Sequence, residues 1–503
     1  MGGLSARSDA AAASTPRHEA GAPNHTPEEA AFIRQESLFG RLPLLPWERE
    51  YGHAGAHTMC FAYAVATWCF MVGGFIAKYT GAVEGLICVL AGSVAGTFVV
   101  TMAPALACQR YGLEQIDYCR SAFGPHGNRV ILIFYVINQV GWNGLLLVMF
   151  GNAVRNVLRG FGYDPGTWVV GLGVTAGLWF TYLLVTRGVH LLNVSNAYIG
   201  PGLAILTVFM FGMLIHEHGW QEIASAKPLA PFANRWFNYV FVFELSMAGG
   251  IGWWGGIGFL TRNTKKRRAA VYPELLQLGF AMGLVTCVSL FSSLVMRTSD
   301  PTEWMIPIGG VWMGVLALLF VAMANVSSAA VATYTCGLAL RHLRMLRARP
   351  WWHLVIWSLV PCVPFILWPG ELYSYGTSYL AYNGTLYAPL GGVLFADFVF
   401  LRRQRLNIYA IFDDHPSTEY YYTRGFNWPA LVCTALGMGI YLFLLDPITY
   451  ESHALFRYVT ASLPATLVPG VVYWAWMRPR VARAAAAARA SAGEPQRLLR
   501  PNI

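Results

Sequence analysis

Residues 237–260 read Phe-Asn-Tyr-Val-Phe-Val-Phe-Glu-Leu-Ser-Met-Ala-Gly-Gly-Ile-Gly-Trp-Trp-Gly-Gly-Ile-Gly-Phe-Leu. An apolar stretch of this length reaches across the ~30 Å of hydrocarbon in a bilayer at ~1.5 Å per helical residue. Its centre, Ala248-Gly249-Gly250-Ile251-Gly252, is poor helix material, because each glycine costs backbone entropy. A second interruption, Val72-Gly73-Gly74, lies in the outer half of the stretch 56–78. Paired breaks in corresponding helices are how inverted-repeat carriers turn backbone groups toward a ligand at mid-membrane. The two runs therefore predict unwinding at Gly73–Gly74 and Gly249–Gly250, the alternative being close helix packing through small residues. The run Gly92-Ser-Val-Ala-Gly96 fits that alternative better.

Working outward, the 503 residues are 56% apolar and only 12% charged, with a mean hydropathy of +0.45. A soluble chain carries about 25% charged residues. This composition excludes a soluble multidomain enzyme and a disordered chain. Twelve runs are long enough to span: roughly 56–78, 83–108, 129–154, 166–186, 191–216, 237–260, 272–296, 308–340, 351–370, 374–400, 427–446 and 455–477. Counted from a cytoplasmic N-terminus, 28 of the 35 Lys and Arg fall on inner segments, which predicts cytoplasmic N- and C-termini in a cell inner or plasma membrane. The expected organisation is a tail at 1–50, a first repeat at 51–216, a second at 235–400, two further spans at 427–477 and a solvated, partly helical tail at 478–503. The nine cysteines form no C-x-x-C and no cluster with histidine, so they read as small buried hydrophobes. No zinc or nucleophile motif is present in the sequence, so the chain is not expected to be an enzyme. The basic surplus is a topology signal rather than a nucleic-acid footprint.

Three places carry polar chemistry inside the spans. The third holds Asn138-Gln139-Val-Gly-Trp142-Asn143. Amides and an indole suit the edge and face of a flat, neutral heterocycle, the alternative being an interhelical hydrogen-bond knot. The eighth holds Ala324-Asn-Val-Ser327-Ser328. Paired hydroxyls, together with carbonyls from an unwound first span, would ligate a hard cation such as Na⁺; back-bonding to the helix is the alternative. Lys78 and Glu244 are intramembrane charges. They are read as a possible outer gate or coupling pair, against snorkelling for Lys78.

With these residues placed, the chain resembles the nucleobase:cation symporter-1 family, near its purine-cytosine permease branch. The strongest stretch is Ala388-Pro-Leu-Gly-Gly-Val-Leu-Phe-Ala-Asp397-Phe-Val-Phe-Leu-Arg402-Arg403, followed by Tyr422-Thr-Arg-Gly425-Phe-Asn427-Trp428. Gly112-Leu, Arg120, Phe123-Gly124, Gln139 through Trp142, and Ser327-Ser328 through Tyr334 are similar to other parts of the family. The resemblance implies an all-α integral membrane protein of twelve helices. These form a five-plus-five inverted repeat of the APC-superfamily, leucine-transporter-like kind, with two added C-terminal helices. It implies a substrate site at Gly73, Gly74, Gln139, Trp142, Asn143, Gly249, Gly250, Trp253 and Thr333. It also implies a Na⁺ site from Ser327, Ser328 and the main-chain oxygens of Ala324, Phe70 and Gly73.

The sequence departs from the family pattern at several of these positions. A polar or aromatic first-helix side chain becomes Gly73 or Gly74, the sixth-helix aromatic becomes Gly249 with Trp253 and Trp254 one turn onward, an eighth-helix asparagine becomes Thr333, and an acidic residue becomes Gly258. The expectation is a secondary transporter working by alternating access. It imports a small planar nitrogenous solute, such as a nucleobase, allantoin or a hydantoin, with Na⁺. The alternative is a proton-coupled permease of the same fold for a vitamin or amino-acid derivative, with the proton on Glu244 or a histidine. The expected partners are the solute and the lipid bilayer; no nucleic acid, obligate protein partner or cofactor beyond the coupling ion is implied.

Overall fold

The computed structural model describes residues 43–491 apart from 188, 344 and 347, with the backbone alone for 189–197 and 484–491. Its main elements are helices: α1 (His53–Ala64), α2 (Thr67–Ile76), α3 (Ala82–Tyr111), α4 (Gln115–Gly160), α5 (Trp168–Thr186), α6 (Val189–Ser225), α7 (Arg235–Ile251), α8 (Ile257–Arg262), α9 (Arg267–Met296), α10 (Pro301–Leu340), α11 (Trp351–Cys362), α12 (Gly376–Leu401), α13 (Trp428–Leu444) and α14 (Ser462–Ser491). Among the described residues, seven helices are individually long and apolar enough to cross a membrane, and the bent pair α1–α2 makes an eighth. The other expected spans are shorter or interrupted. α7 runs through a 3₁₀ turn into α8, α11 and α13 are short, and α14 contains Pro469 and Pro479. α14 continues well past the expected edge at 477.

Of the expected N-terminal tail, residues 1–42 lie outside the described residues. Residues 44–51 are strapped to loops. Leu44 N–H donates to Gly112 O at 2.9 Å, Tyr51 N–H donates to Asn263 O at 3.0 Å, and Arg49 is buried.

The packing follows the repeat. α3 lies along α7, α9 lies along α2, and α4 lies along α10. Exchanging the first five spans with the second five turns the first of these contacts into the second and maps the third onto itself. The chain therefore has the five-plus-five inverted-repeat architecture, with α14 packed along α12 and α13. Close approach depends on glycine: a Cβ on Gly92 would lie 2.5 Å from Phe243 O, and one on Gly96 would overlap Met247 O. This is the helix-packing role expected for that run.

The connections around α4, α12 and α13 are tied by residues far apart in sequence. At 46 residues, α4 would extend about 70 Å if straight, but Gly124 (φ 80°) breaks it. That left-handed backbone is cheap only for glycine. A Cβ there would also lie 2.6 Å from the carbonyl oxygen of Gly425. Asn427 Nδ2 donates to Ala122 O at 2.6 Å. Arg402 donates to Asp397, Glu419, the Ser121 carbonyl and Tyr422, and Tyr473 donates to Asp397 at 2.9 Å. Asp397 is thus a structural hub where α12, α14 and the α4 entry meet. All nine cysteines are free, and all but Cys88 are buried.

Candidate functional site

Two breaks face each other in the middle of the bundle. The first is at Val65 (ψ 62°) and Ala66 (φ −115°, ψ 158°), where α1 and α2 meet at 50°. The second is the turn Gly252–Gly255 with Gly256 at φ −133°. Unwinding at Gly73–Gly74 does not occur. Both residues are helical in α2, and their missing side chains admit another chain segment. A Cβ on Gly73 would overlap Thr286 O and lie 2.7 Å from Ser289 Cβ, and one on Gly74 would overlap Ser299 O. These are packing glycines against α9 and the loop after it. In the sixth span the break begins at Gly252 and runs to Gly256, so only the last residue of the expected run takes part. Gly249 and Gly250 are the final helical turn of α7.

Between the breaks lies a cavity of about 120 Å³. An engineered apolar cavity of about 150 Å³ holds benzene, so this volume suits one small ring. Gln139, Trp142, Gly249 and Trp253 line it, joined by Trp68, Ser328, Thr335 and the backbone of the second break. None of its lining residues is charged. Trp68 stands edge-on between Trp142 (centroids 5.6 Å, 70°) and Trp253 (5.3 Å, 77°). With no face-to-face stack in the trio, indole surface is left for a flat ligand. Gln139 Nε2 donates to Thr335 Oγ1 at 3.0 Å, which leaves its carbonyl oxygen as an acceptor. Gly255 lets that oxygen come close, since a Cβ there would lie 2.8 Å from it.

The other expected substrate residues lie elsewhere. Asn143 Nδ2 donates to Thr333 Oγ1 at 3.1 Å, and both are fully buried. That pair is the interhelical knot joining α4 to α10. Gly250 packs on α3, with Ser93 O 2.6 Å from a notional Cβ. Gly73 and Gly74 face α9 and its following loop. Trp68 was missed because the first-span reading was anchored on the glycine pair. Its sequence signal was a tryptophan near the middle of an apolar run.

A smaller cavity of about 40 Å³ adjoins the first, lined by Ala62, Tyr63, Ala66, Ala324, Ser327 and Ser328 among others. Tyr63, Ala66 and Ser328 line both cavities. The end of α1 supplies carbonyls that lack an intrahelical partner. Phe70 and Gly73 do not join this group. Phe70 O accepts from Ser289 Oγ at 2.6 Å, and Gly73 O accepts from Ala77 N–H at 3.0 Å. The first-helix register toward α10 therefore sits about one turn or more earlier than expected. Asn325, fully buried, accepts from Thr67 Oγ1 and fastens the start of α2 to α10.

Lys78 and Glu244 do not pair. Glu244 is fully buried and caps α14: it accepts from Ala461 N–H and Ser462 N–H, each at 3.0 Å, and from the Ser462 hydroxyl. Its charge meets the positive end of a helix. Lys78 Nζ sits 5.7 Å from the centre of the Phe75 ring. The Lys78 carbonyl accepts from Ala230 N–H at 2.8 Å.

Fold and cavity together define a membrane permease of the inverted-repeat class. A family described as permeases for cytosine/purines, uracil, thiamine and allantoin matches residues 50–460, and the chain belongs to that family. It is therefore a multi-pass transport protein and not an enzyme. It is 23% identical to a purine-uracil permease of Arabidopsis thaliana over 72% of this chain and 65% of that protein, so the match spans less than two thirds of the plant permease. It is 21% identical to an allantoin permease of Bacillus subtilis over 66% of this chain and 72% of that one. Among solved structures, it is similar to Mhp1 in an inward-facing conformation, with a TM-score of 0.73 at 17% identity over 89% and 94% of the two chains. It is also similar to closed Mhp1, a nucleobase-cation-symport-1 transporter with bromovinylhydantoin bound, with a TM-score of 0.71 at 18% identity over 88% and 95%. At these identities the structural likeness speaks for the fold.

Proposed function

We propose that the chain is a cation-coupled symporter that imports a small, flat, uncharged nitrogen heterocycle of the nucleobase, allantoin or hydantoin kind by alternating access. The observation that carries this reading is the pair of adjoining cavities. The larger offers three indoles and an amide to a planar ring and no charge to an ionic one. The smaller offers hydroxyls and helix-end carbonyls to a hard cation, and the two share Ser328 and Ala66. A cation at Ser327 and Ser328 would order the α1–α2 break against α10 and so favour the ligand-binding arrangement through differential affinity. Na⁺ fits this donor set, with the carbonyl oxygens of Tyr63 and Val65 in place of Phe70 and Gly73. The names of the two permease relatives and the hydantoin bound to the structural neighbour support the substrate class. The inner-side concentration of Lys and Arg supports cytoplasmic termini.

The test is a thermal-shift screen of purified protein against uracil, cytosine, allantoin and hydantoins, with and without Na⁺, followed by counter-flow in vesicles. A ligand at 100 times its Kd stabilises by about 2.7 kcal/mol. Stabilisation by a heterocycle that grows with Na⁺ is expected. Stabilisation by charged amino acids alone would defeat the reading.

A further inference from the structure

Glu274 is a second, unassigned piece of chemistry. It is fully buried in α9, about 9 Å along the helix from the basic end at Arg268. Among the described residues its carboxyl meets no basic side chain, and its polar neighbour is the Thr101 hydroxyl. An isolated ionised carboxylate is costly in such a place. It opens a π-helical turn, Glu274–Ala281. A second π turn, Thr101–Ala105, lies on α3, and Thr101 faces the carboxyl. Such turns concentrate at functional sites.

The π turn that Glu274 opens is packed between α3 and α1, the half-helix ahead of the first break. Cys60 of α1 lies within electrostatic reach of the carboxyl, and His57 of α1 contacts Gln277 at 3.2 Å. From α3, Cys108 lies within electrostatic reach of it, and Arg262 of α8 and Glu114 lie within reach of Cys108. The same α1 lines both cavities through Tyr63. A motion of α1 that opens the cavities therefore also removes one of the two walls around Glu274, the other being α3.

We propose that Glu274 is a proton-binding carboxyl of this permease, protonated while α1 is seated on α9 and releasing its proton to water once α1 lifts away. An O–H bond on the carboxyl breaks, the proton passes to water, and the reverse step reloads it; no redox partner is involved. The proposal rests on the permease reading, so its test uses a readout that needs no substrate. The full-length protein is purified, and maleimide labelling of Cys60 is followed by peptide mass across about pH 5 to 9. Comparison with Glu274→Gln removes the intrinsic thiol titration.

The wild-type to E274Q labelling ratio should climb with pH, by up to about tenfold per unit, because ionisation favours the lifted helix. A ratio that stays flat overturns the proposal. Thr101→Val, which removes the facing hydroxyl, should move the climb to higher pH, and it keeps the test open if E274Q folds poorly; an unmoved curve there counts against the proposal. In pyranine-loaded proteoliposomes, uracil or allantoin should acidify the wild-type interior and not that of E274Q. A climbing ratio without acidification by either solute would support Glu274 as a proton site and leave the substrate class to be judged by the Na⁺-dependent thermal-shift screen.

Discussion

Gly249 and Gly250 are adjacent in α7, and the structure assigns them opposite consequences. A Cβ on Gly249 meets nothing within 4 Å and projects into the larger cavity. A Cβ on Gly250 would lie 2.6 Å from Ser93 O and 2.8 Å from Thr97 N. Both substitutions to alanine gain about 1 kcal/mol of helix propensity. For Gly249→Ala nothing opposes that gain, so the variant should melt at or slightly above the wild-type temperature. For Gly250→Ala the obstruction is backbone of α3, which cannot rotate aside. Overpacking of about 1–3 kcal/mol should then reach its upper end, leaving a net loss of about 2 kcal/mol. Ligand binding separates them in the other sense. One methyl added to a tight pocket weakens a fitting ligand by about 1–3 kcal/mol, or roughly 10–200-fold. Fluorescence-detected melting with a uracil and allantoin titration reads both quantities. Equal melting temperatures for the two variants would refute the packing argument. Unchanged ligand affinity in Gly249→Ala would remove that residue from the site.

Other outcomes follow from the same contacts. Replacing Ser327 and Ser328 together by alanine should abolish Na⁺-dependent stabilisation by ligand; undiminished Na⁺ dependence would disprove that ion site. Glu244→Gln keeps an acceptor but loses charge at the start of α14, so it should cost about 1–2 kcal/mol in melting without altering any proton dependence, whereas a changed pH profile would return Glu244 to a coupling role. Asn143→Ala and Thr333→Val should show coupling of about 1 kcal/mol in a double-mutant melting cycle; strict additivity would dissolve the knot. Glu114, in the loop between α3 and α4, has its carboxyl pushed up to about 7 by burial and then by neighbouring Asp117. Because the folded value lies above the usual one, the stability it contributes is full below about pH 4.5 and is lost as pH rises through about 7. Glu114→Gln should flatten that decline in melting temperature; an equally steep decline would assign it to other groups.

Much of the fold was legible from composition and spacing. Charge scarcity and the length of the apolar runs located the spans, because a bilayer core admits little unpaired charge. The motif residues Phe123-Gly124, Asp397, Arg402 and Asn427 do converge on one scaffold. Within the cavity, Gln139 and Trp142 were legible because polar and aromatic groups at mid-span need a reason to be there, while Gly249 and Trp253 were reached through the family resemblance. The first-helix register was not.

Sequence by itself determined a helical membrane protein with glycine-rich first and sixth spans and hydroxyls on the eighth. A glycine run states only that side chains are missing, and that absence serves an unwound backbone and a tightly packed helix equally well. Tertiary structure decided between them. At Gly73 and Gly74 the space is taken by Thr286 and Ser299, so the helix continues and the break falls at Val65–Ala66. That shift brings Trp68 to the cavity and leaves Phe70 and Gly73 facing α9. The surroundings of Glu244 and Glu274 were likewise decided by tertiary packing, since one carboxyl meets a helix start and the other lies in a turn packed between α1 and α3.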